Sequence, residues 1–174
     1  MSMQLREVSV ADAGTIANIF RASFVDTFGR LYPPPDLAQF LSEKSSAAFA
    51  DEINDRAYLF RLAVVGDQAA GYIKLGPPGL PVETPPDSIE ICQLYVDKEW
   101  QGTGVAQELM TWALDEARRR GSQHVQLSVY IDNHRALRFY ERHGFAPVGR
   151  YDFKVGTHVD EDIILRHVVL QADP

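Results

Sequence analysis

The 174-residue chain has a formal net charge of −7, with 45% hydrophobic and 24% charged residues, the values of an ordinary globular domain rather than of a disordered tail or a fibre. Its length fits one domain spanning 1–174, and the acid excess argues against a nucleic-acid binder, whose footprint is a basic face, while favouring cationic small molecules or protein amines as partners. No stretch approaches the ~18 apolar residues of a membrane span and MSMQLREVSV lacks the apolar core of a secretory signal, so a cytoplasmic protein without membrane partners is expected.

In chain order, Gln4 to Val8 alternates as a first strand, and Ala11 to Phe28 follows with Ile16, Ile19, Phe20, Phe24 and Phe28 at helical spacing. The run YPPPD, Tyr32 to Asp36, predicts a turn, because proline lacks the helical donor; a short helix from Leu37 to Glu43 is expected after it. Ala47 to Asn54 reads as another helix, capped by Ser45 or Ser46. Tyr58 to Val65 and Ala69 to Leu75 flank Gly66-Asp67-Gln68 as an antiparallel hairpin. Gly76 to Asp87 holds five prolines and reads as a surface loop, after which Ser88 to Val96 is a strand. Cys92, the only cysteine, lies in that strand, forms no internal disulfide and reads as a packed, inert thiol.

Val105, Ala106, Leu109, Met110, Ala113 and Ala117 mark one apolar helical face that stops at Arg118 to Gly121. His124 to Val129 reads as a strand, Asn133 to His143 as a helix closed by Gly144, and Pro147 to Val155 with Val159 to His167 as a closing hairpin. There are no internal repeats or heptads.

The segment with the clearest chemistry is QGTGVA, Gln101 to Ala106, set between a strand and that strongly amphipathic helix. Gly102 and Gly104 let the backbone come close to a ligand, and the helix start presents unpaired amides and positive dipole, the requirements of a pyrophosphate site. A Walker loop would continue with Lys and Ser or Thr, but here Val105-Ala106-Gln107 follows. A dinucleotide fold would carry its glycines on the first strand–helix unit, whereas these lie past the middle of the chain.

Gln101, Gly104 and Ala106, the preceding LYV strand end, and Asn133, Ala136, Tyr140, Gly144 and Phe145 downstream together resemble the GNAT superfamily of acetyl-CoA-dependent N-acyltransferases over about Ile89 to Gly149. The resemblance implies a single α/β domain with a mixed, strongly twisted sheet of six or seven strands and helices on both faces. It implies that the strands holding Leu94 to Val96 and His124 to Val129 splay apart, with the pantetheine arm of acetyl-CoA along Leu94 and Val96. The pyrophosphate would then lie on the amides of Gln101, Gly102, Thr103, Gly104, Val105 and Ala106. Asn133 and Tyr140 would complete the cosubstrate site; Arg142 is a candidate phosphate ligand, although Arg135, Arg138 and Arg142 also read as an exposed helix side. No histidine or cysteine spacing suggests a metal, so none is expected.

Acetylation needs a neutral amine, yet an alkyl ammonium has a pKa near ~10.4, so a base is required. Glu90, six residues before Val96, matches the position of a catalytic glutamate in some relatives; it reads equally as a strand-end charge or salt-bridge partner. Strand parity puts Glu90, Cys92, Leu94 and Val96 on one side unless a bulge intervenes. Tyr140 resembles the family's general acid for the departing thiolate, the alternative being an aromatic that packs beside Phe139. The amide of Val96 is the candidate donor to the developing oxyanion.

The acceptor pocket of such relatives is built by the first two helices, about Phe24 to Phe40, and the last hairpin. FVDTFG, GYIK and SIEICQLYV look like the branch that acetylates spermidine and spermine, and Asp26 and Glu90 would be its carboxylates. A protein N-terminus, a lysine, another small amine, or acetyl-CoA sensing without turnover stay open, as does a homodimer, which many relatives form.

Overall fold

The structure, a computed structural model, describes residues 2–170. Its strands are β1 (Met3–Glu7), β2 (Leu59–Val65), β3 (Gln68–Gly76), β4 (Ser88–Val96), β5 (His124–Tyr130), β6 (Ala146–Val155) and β7 (His158–Val168). Its helices are α1 (Ala13–Phe28), α2 (Pro34–Ser42), α3 (Ser46–Asn54), α4 (Val105–Arg119) and α5 (His134–Arg142). The seven strands form one mixed sheet in the order β1-β2-β3-β4-β5-β7-β6, antiparallel throughout except between β4 and β5.

Each face of the sheet has its own core. Val105, Leu109, Met110, Ala113 and Ala117 of α4 pack on Ala63, Ile73, Leu75, Ile91 and Leu127, with Leu137 and Tyr140 of α5 at the margin. On the opposite face Ile16, Phe20 and Phe24 of α1, Leu41 of α2 and Phe49 of α3 pack on Phe60, Leu62 and Tyr72. The expected α/β fold with helices on both faces is therefore present, and the apolar stripe on α4 is the one that the sheet covers.

Two local outcomes differ from the sequence expectation. Helix α2 begins at Pro34 instead of Leu37, because Pro34 and Pro35 occupy the first helical positions, where no amide is needed and proline's fixed φ suits the helix. Strand β4 carries a bulge: Ile91 pairs with Leu75 and Gln93 with Lys74, leaving Cys92 unmatched. The bulge inverts parity, so Ile89 and Ile91 share the α4 face with Leu94 and Val96, while Gln93, whose Oε1 accepts from Tyr72 Oη at 2.8 Å, lies on the α1 face with Tyr95. Glu90 is thus not on the side of Leu94 and Val96.

The proline-rich loop has no regular element, as expected, but it is held down. Gly79 N and Leu80 N donate to Glu90 Oε1 at 2.9 and 3.3 Å, and Arg166 Nη2 donates to the Glu83 carbonyl at 2.7 Å. Ser45 caps α3 by accepting from Ala48 N at 3.2 Å.

Leu109 is fully buried between α4 and the sheet. Leu109→Ala is expected to lower unfolding stability by about 2–5 kcal/mol, read as a lower denaturant midpoint at an unchanged slope.

Candidate active site

Strands β4 and β5 pair only at Ser88–His124, Ile89–Val125 and Glu90–Gln126. Beyond that rung they part, opening a gap between Ile91–Val96 and Leu127–Tyr130. The antiparallel ladder with β3 decides which atoms face the gap. Asp97 N donates to Ala70 O at 2.9 Å, and because antiparallel strands alternate the direction of successive amides, the amides of Val96 and Leu94 point away from β3, toward the space that β5 has left. The Val96 carbonyl is already engaged, accepting from Gln101 Nε2 at 3.2 Å and from Ser23 Oγ at 3.4 Å.

Two cavities meet in this gap. The first, about 430 Å³, runs along Trp100, Gln101, Gly102, Gly104, Ala106 and Gln107 to Arg135, Phe139 and Arg142. The second, about 240 Å³, opens on the α1 side between Phe24, Phe28, Tyr32, Ser128, Asp160 and Asp162. Leu94, Val96, Gln101, Asn133, Ala136 and Tyr140 line both.

The first cavity fits coenzyme A. Gly102 and Gly104 adopt φ of 77° and 94°, torsions that L side chains resist, and a Cβ on Gly104 would project into open space. The helix α4 starts at once after Gly104, so its first amides have no preceding carbonyls and present positive charge to an anion. Arg142 lines this cleft, and so does Arg135, which is exposed as expected and whose Nη1 donates to Gln101 Oε1 at 2.7 Å. Thr103 and Val105 offer main chain only, since Thr103 Oγ1 donates back to the Trp100 carbonyl and Val105 is buried in the core. Asn133 caps α5, accepting from Ala136 N at 3.3 Å.

Tyr140 stands where the cavities join. Its ring contacts Phe139 and Phe145, its hydroxyl has no hydrogen-bond partner among the described residues, and burial pushes its pKa up to about 12. A phenol in that state keeps its proton at neutral pH and is a weaker acid than a free tyrosine, while its lack of a partner leaves the O–H able to turn toward a ligand. Cys92 lines the second cavity, and burial, aided by Glu90, raises its thiol to about 11, which keeps it uncharged and unreactive.

Two proposed acceptor carboxylates lie elsewhere. Asp26 lines neither cavity and sits near Lys98 Nζ at 3.4 Å on the exposed side of α1. Glu90 also lines neither; besides the two loop amides it accepts from Gln126 Nε2 at 3.4 Å, at the rung where the strands part.

The cavity's own carboxylates are Asp160 and Asp162, both buried. Asp160 Oδ2 accepts from Tyr32 Oη at 2.5 Å, and Oδ1 faces His158 Nε2 at 3.0 Å. Asp162 is raised to about 6, first by burial and then by the charge of Asp160, while the hydroxyls of Ser128 and Tyr151 work the other way. Among the described residues no Lys or Arg is within ion-pair distance of either. A signal for them existed: H-V-D-E-D-I at 158–163 alternates in a strand, so its first and third acids share one face. What the sequence does not say is that this face is the inner one.

Known proteins give the same outline. The acetyltransferase (GNAT) family profile matches residues 16–145. An uncharacterised N-acetyltransferase from Lactobacillus delbrueckii subsp. lactis is 27% identical over 170 residues, covering 97% of this chain and 98% of that protein. Among solved structures, PaiA N-acetyltransferase from Thermoplasma acidophilum in complex with coenzyme A superposes with a TM-score of 0.78 at 21% identity, covering 97% and 99% of the two chains. The ribosomal-protein-S18-alanine N-acetyltransferase from Escherichia coli does so with 0.74 at 17% identity, covering 99% and 97%. At these identities the structural likeness concerns the fold, and it is nearly equal for two enzymes with different names.

A carboxyl whose pKa is raised by folding binds its proton more tightly in the folded state, so its ionised form lowers stability at pH above about 6, and that penalty vanishes below the unfolded value near ~4. Asp162→Asn is therefore expected to raise the melting temperature at pH 8, with the difference shrinking as pH falls through 6 to 4 in a thermal-shift series.

Proposed function

This chain belongs to the GNAT family of acetyltransferases, with acetyl-CoA as cosubstrate, and from that premise we propose that it transfers the acetyl group to a primary amine held in the Asp160–Asp162 cavity. The observation that carries the reading is the position of Tyr140, whose unengaged hydroxyl stands at the junction between the coenzyme cleft and an acidic cavity. When bound, acetyl-CoA supplies the acetyl thioester; the chain's residues orient it and move the protons.

An acceptor enters as an ammonium, drawn by two buried carboxylates that have no Lys or Arg partner among the described residues. Asp162 serves as the base: with a pKa near 6 it is ionised at neutral pH and basic enough to take a proton from the bound amine. This role passes to Asp162 from Glu90, because the Glu90 carboxylate lies outside the cavity and holds the proline-rich loop. The neutral nitrogen attacks the thioester carbonyl, the amide of Val96 points toward the developing oxygen charge, and Tyr140 Oη gives its proton to the sulfur as the C–S bond breaks, the second proton that the nitrogen sheds on becoming an amide returning to the Tyr140 oxygen. The amine, the acetyl donor and both proton-handling groups are gathered in one gap, which favours direct transfer in a ternary complex over an acetyl-enzyme; Cys92, the one thiol available, is held neutral by burial.

The finer reading is a polyamine such as spermidine or spermine. Its support is the acidic cavity and the net charge of −7; acetylation of peptide amines and acetyl-CoA binding without turnover are the competing readings. Thiol release from acetyl-CoA over a panel of amines separates them. Spermidine turnover supports the polyamine reading, turnover with peptides alone removes it, and coenzyme binding with no turnover leaves only a sensor.

Tyr140→Phe is expected to lower kcat about 100-fold while changing the coenzyme dissociation constant less than about threefold; an unchanged kcat removes Tyr140 as the acid. The pH profile of kcat/KM, which reports ionisation of the free enzyme, is expected to fall below about 6 in the native protein. Asp162→Asn should abolish that limb along with most of the rate, whereas Glu90→Gln should keep it.

A further inference from the structure

The acceptor cavity is roofed by a corner and a hairpin that come from opposite ends of the chain. The corner joins α1 to α2 across residues 29–33, and the hairpin joins β6 to β7 at Gly156 and Thr157. Two sets of hydrogen bonds tie them together. The inner one is the bond from Tyr32 Oη to Asp160 Oδ2 at 2.5 Å. The outer one is made by Asp36, in the first turn of α2, whose Oδ2 accepts from Thr157 Oγ1 at 2.9 Å and from Thr157 N at 3.3 Å.

Packing reinforces the outer tie. Gly156 has φ of 58° and lies so close to the Asp36 carboxylate that any Cβ there would overlap it, so the turn is shaped to receive that side chain. Between the two ties, Phe40 of α2 meets Phe153 of β6 edge to face at 6.1 Å, and Tyr32 meets His158 in the same manner at 5.2 Å. The corner and the hairpin are thus joined from the buried carboxylate out to the surface. The corner contributes Tyr32 and the strands of the hairpin contribute Phe153, Asp160 and Asp162 to the cavity lining, so the ties join two elements that border the acceptor's space.

We infer that the Asp36–Thr157 tie is a specificity latch, closing the acceptor cavity to polypeptides and admitting only small free amines. The inference rests on the acetyl-transfer reading and narrows its acceptor. Behind the latch lie about 240 Å³, room for a slender amine that enters whole and sets its charge on Asp160 and Asp162. Asp36 lines neither cavity, so it acts on access and not on chemistry.

The test compares 1,4-diaminobutane with a lysine-containing hexapeptide, both assayed by thiol release from acetyl-CoA in the full chain. The native enzyme is expected to favour the diamine by about 100-fold in kcat/KM, and Asp36→Ala to cut that preference at least about tenfold, through a rise in peptide kcat/KM with the diamine value within about twofold. Thr157→Val, which removes the hydroxyl donor and leaves α2 untouched, should move the ratio in the same direction by a smaller factor. Melting temperatures of both variants show whether the fold is kept. Comparable turnover of peptide and diamine by the native enzyme overturns the latch while leaving acetyl transfer standing, and so does an unaltered ratio in both folded variants. No thiol release with either amine removes the acetyl-transfer reading and the latch with it.

Discussion

Below the rung formed by Glu90 and Gln126 the two central strands are parallel partners; above it they bond to each other no longer. A main chain that leaves its neighbour exposes amides and carbonyls, and a buried polar group must find another partner. In β4 that requirement has been made into a binding surface. The Cys92 bulge turns the upper half of the strand over, so that Leu94 and Val96 face α4 while their amides face the gap. Gln101 and Ser23 take the Val96 carbonyl and fix the strand end in place. The rung itself is locked from outside, where Gln126 is wholly buried and receives Arg166 Nη2 at 3.4 Å while donating to Glu90. Glu90 in turn fastens the proline-rich loop. Its carboxylate therefore holds the apex of the opening between β4 and β5.

The helices divide the work of that opening between the two faces of the sheet. On one face α4 presents its start to an anion, and α5 brings Arg135, Arg142 and Tyr140 to the same cleft. On the other face α1 and the α1–α2 corner supply aromatic walls to a cavity whose far end is acidic. The two ionisable groups that bracket the junction differ in a way that suits opposite proton transfers. Burial holds the Tyr140 phenol protonated, at about 12, and holds Asp162 at about 6, where it is ionised at neutral pH but still able to accept a proton. Environments that push a donor and an acceptor apart in this manner are how one site runs acid and base chemistry together.

Asp160 and Asp162 also explain why a buried negative site is tolerated at all. Burying a carboxylate without a counter-ion costs stability, and among the described residues the basic side chain within ion-pair distance is His158, beside Asp160. Hydroxyls from Tyr32, Ser128 and Tyr151 soften the cost without cancelling it. A cationic acceptor, as proposed above, would complete the charge balance.

Much of this was fixed by sequence alone. The α4 stripe, the glycines at 102 and 104, the Asn133 cap and the run to Tyr140 are local signals, because helix periodicity, capping and positive φ depend on residues within a few positions of one another. They were enough, through the resemblance they carry, for the fold class and for acetyl-CoA as cosubstrate. What sequence did not supply is whatever depends on which strand lies next to which. The bulge at Cys92 exists only in the pairing of β4 with β3, so the side on which Glu90 falls was undetermined until that register was known. The resemblance of FVDTFG and SIEICQLYV to polyamine-acetylating relatives points to Asp26 and Glu90 as acceptor carboxylates, but the first sits beside Lys98 on the exposed side of α1 and the second is bound to a loop. Asp160 and Asp162 come from the last hairpin, more than fifty residues beyond the glycine loop, and only the insertion of β7 beside β5 carries them into the cavity. Local torsions are written into neighbouring residues, whereas the contents of a cavity are set by packing among segments far apart in the chain.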